Sequence, residues 1–298
     1  MTRTTSDQPA PPTYANALIT GASRGIGRAV ARQLAARGYR VFLLGRDRAA
    51  LDAVAAACPP ASAATIAGDL RDPAFIATAI RDATAFMGTI DVLINNAGAA
   101  VHGPVQDADM DAWRDLLEVN FMATASLTRQ VLPGMLERGA GAIINISSIN
   151  GRHVNAGSAI YAATKHALNG FSGCLFEDVR EHGIKVSTIM PGFVATDMTA
   201  RLGKASERMI RPDDIADAVV FVLSDGNRHP PATTALSGPG PRSTRGGARS
   251  AYGERGSAGS PGRGASTLHM SSAESGHSVA NCAVARIACG ARSRATVR

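Results

Sequence analysis

Between Tyr14 and Leu223, short apolar runs alternate with longer helix-patterned stretches, and this alternation limits the fold more than any other feature. Residues 14–20, 39–44, 63–67, 90–94, 142–147 and 184–190 read as strands. They run apolar without a polar face, so both of their sides are covered. Residues 25–37, 48–57, 73–86, 110–136, 158–182 and 212–223 read as helices. Gly38 and Gly183 supply stops, Asp72 an N-cap, and Pro212 a first turn. Pro133 predicts a break in the long stretch 110–136. Strand–helix–strand succession of this kind implies an α/β fold with a parallel, doubly wound sheet.

The pattern stops near residue 225. Residues 226–298 hold 12 Gly, 11 Ser, 13 Ala, 10 Arg and 5 Pro, against six Leu, Ile, Val and Phe together. Such a segment buries too little apolar surface to offset its chain entropy. The expected organisation is therefore a structureless start over 1–12, a catalytic domain over 13–225, and a disordered basic tail over 226–298. A tail for anionic partners is the alternative, but Tyr252 is the only aromatic residue there.

Charge follows the same division. The whole chain carries +7, yet the tail's ten Arg and two Glu already give +8. The body is near neutral, which argues against nucleic acid as its partner. No charge-free run reaches the length of a membrane span, and residues 1–13 hold no apolar signal run. Cys58, Cys174, Cys282 and Cys289 have neither CxxC spacing nor a disulfide pattern, so no metal site is expected. The cytoplasm is the expected compartment.

The first predicted strand runs into Thr20-Gly21-Ala22-Ser23-Arg24-Gly25-Ile26-Gly27 and then a helix. Glycines there let the backbone turn tightly and approach a pyrophosphate, and the helix start offers free N–H groups. By themselves, three glycines after a strand also describe an ordinary tight turn. After the second strand comes Leu44-Gly45-Arg46-Asp47. A carboxylate ending that strand would suit the ribose hydroxyls of NAD, whereas cations suit the 2′-phosphate of NADP. Arg24 and Arg46 together point to NADP(H). Pairing of Arg46 with Asp47 is the structural alternative.

Further motifs follow in order: Asp69-Leu70, Asn95-Asn96-Ala97-Gly98, Asn120, Ser148 thirteen residues before Tyr161, Tyr161-x3-Lys165, and Pro191-Gly192-x3-Thr196. With the glycine loop, they make residues 14–223 resemble the short-chain dehydrogenase/reductase family. The resemblance implies a single Rossmann-type domain, a nicotinamide cofactor, and a site of Asn120, Ser148, Tyr161 and Lys165. It places Gly21, Ser23, Arg24, Gly25, Ile26, Gly27 and Arg46 against the cofactor. It adds Asp69 and Leu70 at the adenine, and Asn96, Ala97 and Gly98 along the adenosine. Pro191, Gly192, Val194 and Thr196 fall near the nicotinamide. It also gives Lys165 the nicotinamide ribose and Asn120 a water that relays protons to Lys165.

The chemistry of the residues agrees. Reduction of a ketone develops negative charge on oxygen, so a proton donor is needed there. Tyr161 can serve if its pKa falls, and Lys165, one helical turn on, is placed to lower it. Ser148 would hold the carbonyl oxygen. The expected partner is a small or carrier-bound carbonyl substrate, and the expected assembly is a homo-oligomer, dimer or tetramer. Carbonyl reduction, 3-oxoacyl reduction and 3-hydroxy acid oxidation all suit these residues; a non-catalytic nucleotide-binding scaffold is the reading from another class. His102, His153 and His166 belong to no motif and read as loop or surface residues. One departure from the family stands out: no final edge strand is evident after Leu223.

Overall fold

In a computed structural model of the chain, the described residues are 14–200, 209–224 and, as backbone, 233–236. All of them lie in one compact unit. The strands are β1 (Asn16–Thr20), β2 (Arg40–Gly45), β3 (Ala63–Ala67), β4 (Val92–Asn95), β5 (Gly141–Ile146), β6 (Ile184–Pro191) and β7 (Thr233–Leu236). The helices are α1 (Gly25–Ala35), α2 (Arg48–Ala56), α3 (Pro73–Met87), α4 (Met110–Leu117), α5 (Ala123–Arg138), α6 (Ala159–Val179), α7 (Asp197–Ala200) and α8 (Pro212–Ser224).

The sheet order is β3-β2-β1-β4-β5-β6-β7, and every pairing is parallel. The direction of winding reverses between β1 and β4. In an open sheet of this kind, ligands bind outside the carboxyl ends of the strands at that switch point. All five residues of β1 and all four of β4 are buried, because helices cover both faces. Ala17 and Ile19 point into a cluster with Val30 and Leu34 of α1 and Ile215 and Val219 of α8. Leu18 points the other way, into a cluster with Ile76 of α3, Leu127 of α5 and Leu175 of α6.

Local chemistry explains most helix boundaries. Asp47 accepts from Ala50 N at 3.0 Å and starts α2. Asp72 accepts from Ala74 N at 2.9 Å and starts α3. Asp109 accepts from Asp111 N and starts α4. Gly139 ends α5 at φ 61°, a left-handed conformation that costs glycine no Cβ clash.

Two expectations are corrected. Pro133 does not break the long stretch 110–136; it sits inside α5. The interruption falls earlier, in a π-helical turn over Glu118–Met122 that separates α4 from α5. Such turns commonly mark functional positions, and this one carries Asn120. The edge strand that the tail composition argued against is also present. Thr233–Leu236 pairs with β6 in the register Thr188↔Thr233 to Pro191↔Leu236. A composition averaged over 73 residues masks four that suit a strand, two of them β-branched threonines. The structureless ends expected over 1–12 and the rest of 226–298 lie outside the described residues.

Candidate active site

The loops after β1, β3, β4, β5 and β6 meet at the carboxyl edge of the sheet. The glycine loop is shaped by its own backbone first. Gly21 and Gly25 have φ of 64° and 54°, a region that L side chains rarely adopt. A Cβ on Gly27 would lie 2.2 Å from Gly21 O and 2.6 Å from Asn96 Nδ2. The glycine therefore permits α1 to press against the turn. Ala22 is buried, Ser23 is half-buried, Ile26 is half-buried against the core, and Arg24 is exposed.

Asn96 holds this loop. Its Nδ2 donates to Thr20 O at 2.9 Å and Gly21 O at 3.2 Å. Thr20 Oγ1 in turn accepts from Asn96 N and Ala97 N, both at 2.9 Å. The glycine turn and the Asn96-Ala97-Gly98 segment thus form one rigid rim. On the opposite side, a Cβ on Gly25 would meet the Thr196 side chain at 3.2 Å. The segment after β6 is fixed there by a Val194–Ile210 bridge, with Pro191 and Gly192 leading into it.

The groove between these walls suits an anionic nucleotide. Arg24, the residue before α1, makes no side-chain cap, and the first turn of α1 holds no acidic residue. The N-terminus of α1 thus opens on the glycine loop. Arg46 is exposed at the end of β2 with no hydrogen bond or ion pair among the described residues. Asp47 is committed to capping α2, so the expected alternative of an Arg46–Asp47 pair is not what the structure shows. Arg24 lies 3.7 Å from Asp197, so the two arginines do not both stand free.

Asp69 follows β3, beside the buried Leu70, but its carboxylate is gripped by Arg71 at 2.6 Å. That guanidinium, bridged also to Asp115 of α4 at 2.6 Å, holds the Asp69 carboxyl below its ordinary range. Arg71 carries no motif, and the sequence reading passed over it.

Ser148, Tyr161 and Lys165 meet on one wall. Ser148 is buried just past β5, and its hydroxyl stands close enough to the Tyr161 phenol to act on its titration. Lys165 is 5% exposed, with Nζ donating to Ile146 O at 3.0 Å and standing 5.9 Å from the Tyr161 ring centroid. Burial pushes the phenol above 10.0, and the Ser148 hydroxyl only partly offsets this. Burial also lowers Lys165 to about 8. The expectation that Lys165 pulls the phenol down is thus not met in the protein alone. Desolvation dominates both groups.

Asn120 acts as a clamp. Its Oδ1 accepts from Ala99 N at 2.8 Å, and its Nδ2 donates to Ala99 O at 3.0 Å and Thr164 Oγ1 at 3.1 Å. It ties the loop after β4 to the helix that carries Tyr161 and Lys165. Three of the four hydrogen-bonding positions of its amide are already used by protein groups. Below it, Asn95 donates to Asn145 at 2.8 Å, and Asn145 donates to Ser172 at 2.8 Å, which pins β4, β5 and α6 together.

His102, expected as a loop or surface histidine, stands beside this wall. Its ring centroid lies 5.9 Å from that of Tyr161, and Nδ1 is 3.2 Å from Ser158 Oγ. No spacing rule signals it, because the contact is made by two loops distant in sequence. Among the described residues, no cluster of His, Cys, Asp and Glu is placed to hold a metal, and no helix is long and apolar enough to cross a membrane.

A doubly wound sheet with a glycine cradle at its switch point, and a Ser–Tyr–Lys wall beside it, defines a nucleotide-dependent redox class. The comparisons with known proteins agree. The short chain dehydrogenase family model matches residues 15–207. An uncharacterized oxidoreductase of Staphylococcus aureus is 35% identical over 208 residues, covering 70% of this chain and 90% of the relative. A short-chain dehydrogenase from Streptomyces avermitilis superposes with a TM-score of 0.70 at 33% identity, over 76% of this chain and 89% of that one. A variant actinorhodin polyketide ketoreductase solved with NADPH gives 0.67 at 30% identity, over 71% and 90%. The chain belongs to the short-chain dehydrogenase family and is an oxidoreductase of that family.

Proposed function

We propose that this chain is an NADP(H)-dependent oxidoreductase that interconverts a ketone or aldehyde with the corresponding alcohol, with Tyr161 as the acid/base. The observation that carries this reading is the wall on which the buried Ser148 hydroxyl neighbours the Tyr161 phenol and the buried Lys165 stands one turn further along α6. A nicotinamide bound in the groove supplies or accepts the hydride. Ser148 and the Tyr161 hydroxyl both reach the carbonyl oxygen, and the phenol proton passes to it as negative charge develops. Lys165 titrates near 8, so it is an ammonium at neutral pH and favours the phenolate left behind. Asn120 and Asn96 are positioning residues that hold the rims of the groove.

NADP(H) over NAD(H) rests on Arg46. Its guanidinium is exposed where the 2′-phosphate would lie, and the neighbouring carboxylate of Asp47 is spent on α2. The ketoreductase with NADPH is consistent with this reading. The substrate on this reading is a small or carrier-bound carbonyl compound, the setting cytoplasmic, and the assembly a homodimer or homotetramer.

The test is loss of NADPH absorbance by the purified chain over a panel of ketones, aldehydes and 3-oxo esters. Turnover that disappears with Tyr161→Phe supports the proposal. NADPH binding without turnover on any compound overturns it and favours a non-catalytic sensor.

A further inference from the structure

We infer that His102 is a specificity-determining residue, donating a hydrogen bond from Nε2 to a second oxygen of the carbonyl substrate. This rests on the carbonyl-reduction reading above. His102 lies on the loop after β4, and its ring is tilted 52° against the Tyr161 ring at a centroid separation of 5.9 Å. The imidazole therefore stands beside the ring whose hydroxyl would meet the carbonyl oxygen.

The imidazole is held from behind. Ser158, 6% exposed and just ahead of α6, meets Nδ1 at 3.2 Å, and Ser158 is fixed by its own N–H to Asn155 O at 3.2 Å. Next to this contact, Gly103 N donates to Gly157 O at 2.9 Å, and both glycines have positive φ, 157° and 73°. A Cβ on Gly157 would come within 3.8 Å of the Gly103 backbone. The two loops are thus zipped at their glycines, and the ring has little freedom to swing away. Nε2 has no partner among the described residues, and the residue is exposed. The tautomer in which Ser158 donates to Nδ1 carries the ring proton on Nε2, where it is a donor.

The substrate that uses such a donor carries a second oxygen close to the reacting carbon. An ester, thioester or carboxylate of a 3-oxo acid meets that requirement, whereas a simple ketone does not.

The test compares kcat/KM for ethyl acetoacetate and 2-hexanone in the wild type, His102→Leu and His102→Gln. Leucine keeps bulk without a donor, and glutamine places an amide nitrogen near the position of Nε2. The ratio of ester to ketone should fall about tenfold in His102→Leu and recover in His102→Gln. A ratio unchanged within twofold in His102→Leu overturns the inference, as does a glutamine variant as poor as the leucine one. Should the wild type reduce neither compound, the reduction reading fails, and His102 is tested by binding instead. Its imidazole resonance, assigned by its loss in His102→Gln, should shift when acetoacetate is added to the protein with NADP. No shift in the presence of saturating nucleotide overturns the inference.

Discussion

Lys165→Met should make the nucleotide-free protein more stable while destroying its activity. Lys165 is buried at 5% exposure, and its Nζ has one acceptor among the described residues, Ile146 O. Burial lowers its pKa from 10.5 to about 8. Between those values the unfolded chain binds a proton that the folded chain has lost, so stability rises with pH across that window. Below pH 8 the folded protein keeps the ammonium buried at a cost of about 3 kcal/mol relative to the neutral amine. Methionine removes that cost but leaves Ile146 O without its donor, a loss of about 1 kcal/mol. The expected gain is about 2 kcal/mol at pH 6.5, or roughly 4–8 °C in Tm for a body of this size. By pH 9.5 the wild type has shed most of its penalty, and the gain should shrink to a few tenths of a kcal/mol, roughly. Urea unfolding of both proteins at the two pH values, without nucleotide, measures this. A variant no more stable at pH 6.5, or a difference independent of pH, refutes the reasoning. Replacement of a buried charge by an apolar group of similar volume often stabilises, and a functional site is where such a cost is retained.

Three other substitutions test the remaining parts. Tyr161→Phe should lower kcat by about 10²–10⁴-fold with NADPH affinity nearly unchanged, measured by steady-state kinetics and fluorescence titration. Arg46→Asp should move the kcat/KM ratio from NADPH toward NADH, because a cation is exchanged for a carboxylate that accepts from free ribose hydroxyls; an unchanged ratio makes Arg46 a bystander. Gly27→Ala should weaken nucleotide binding and lower Tm together, since the added Cβ would fall 2.2 Å from Gly21 O; a variant with unaltered affinity removes the packing argument for that glycine.

What was legible in the sequence was local. Strands buried on both faces announce themselves as apolar runs, and the Asp72 cap stands one residue before its helix, whereas the caps Asp47 and Asp109 were read only in the structure. The Tyr161–Lys165 spacing is one helical turn, so it too is readable from the chain. The unread features depend on contacts between distant segments. The π turn around Asn120 is set by its bonds to Ala99 and Thr164, 21 and 44 residues away. His102 meets Ser158 across 56 residues, and Arg71 reaches Asp115 on another helix. β7 was hidden for a different reason: an edge strand needs a partner on one side only, so four residues suffice inside a segment whose average composition opposes structure.

The same comparison locates the site without any motif. α2, α3 and α4 each begin on an aspartate whose side chain accepts from the first turn. α1 begins on Arg24, with no side-chain cap and no acidic residue in its first turn. The start of α1 stays open at the switch point where the sheet reverses its winding. α6 carries a second departure, because its lysine is buried against the pull of solvation with a backbone carbonyl for company. Each breaks a rule that the surrounding residues keep, and each costs stability. The two lie on facing sides of one groove, so a single ligand that brings an anion to α1 and a reacting centre to Tyr161 compensates both. An elongated molecule with phosphate at one end and reactive chemistry at the other, such as a dinucleotide, meets that requirement.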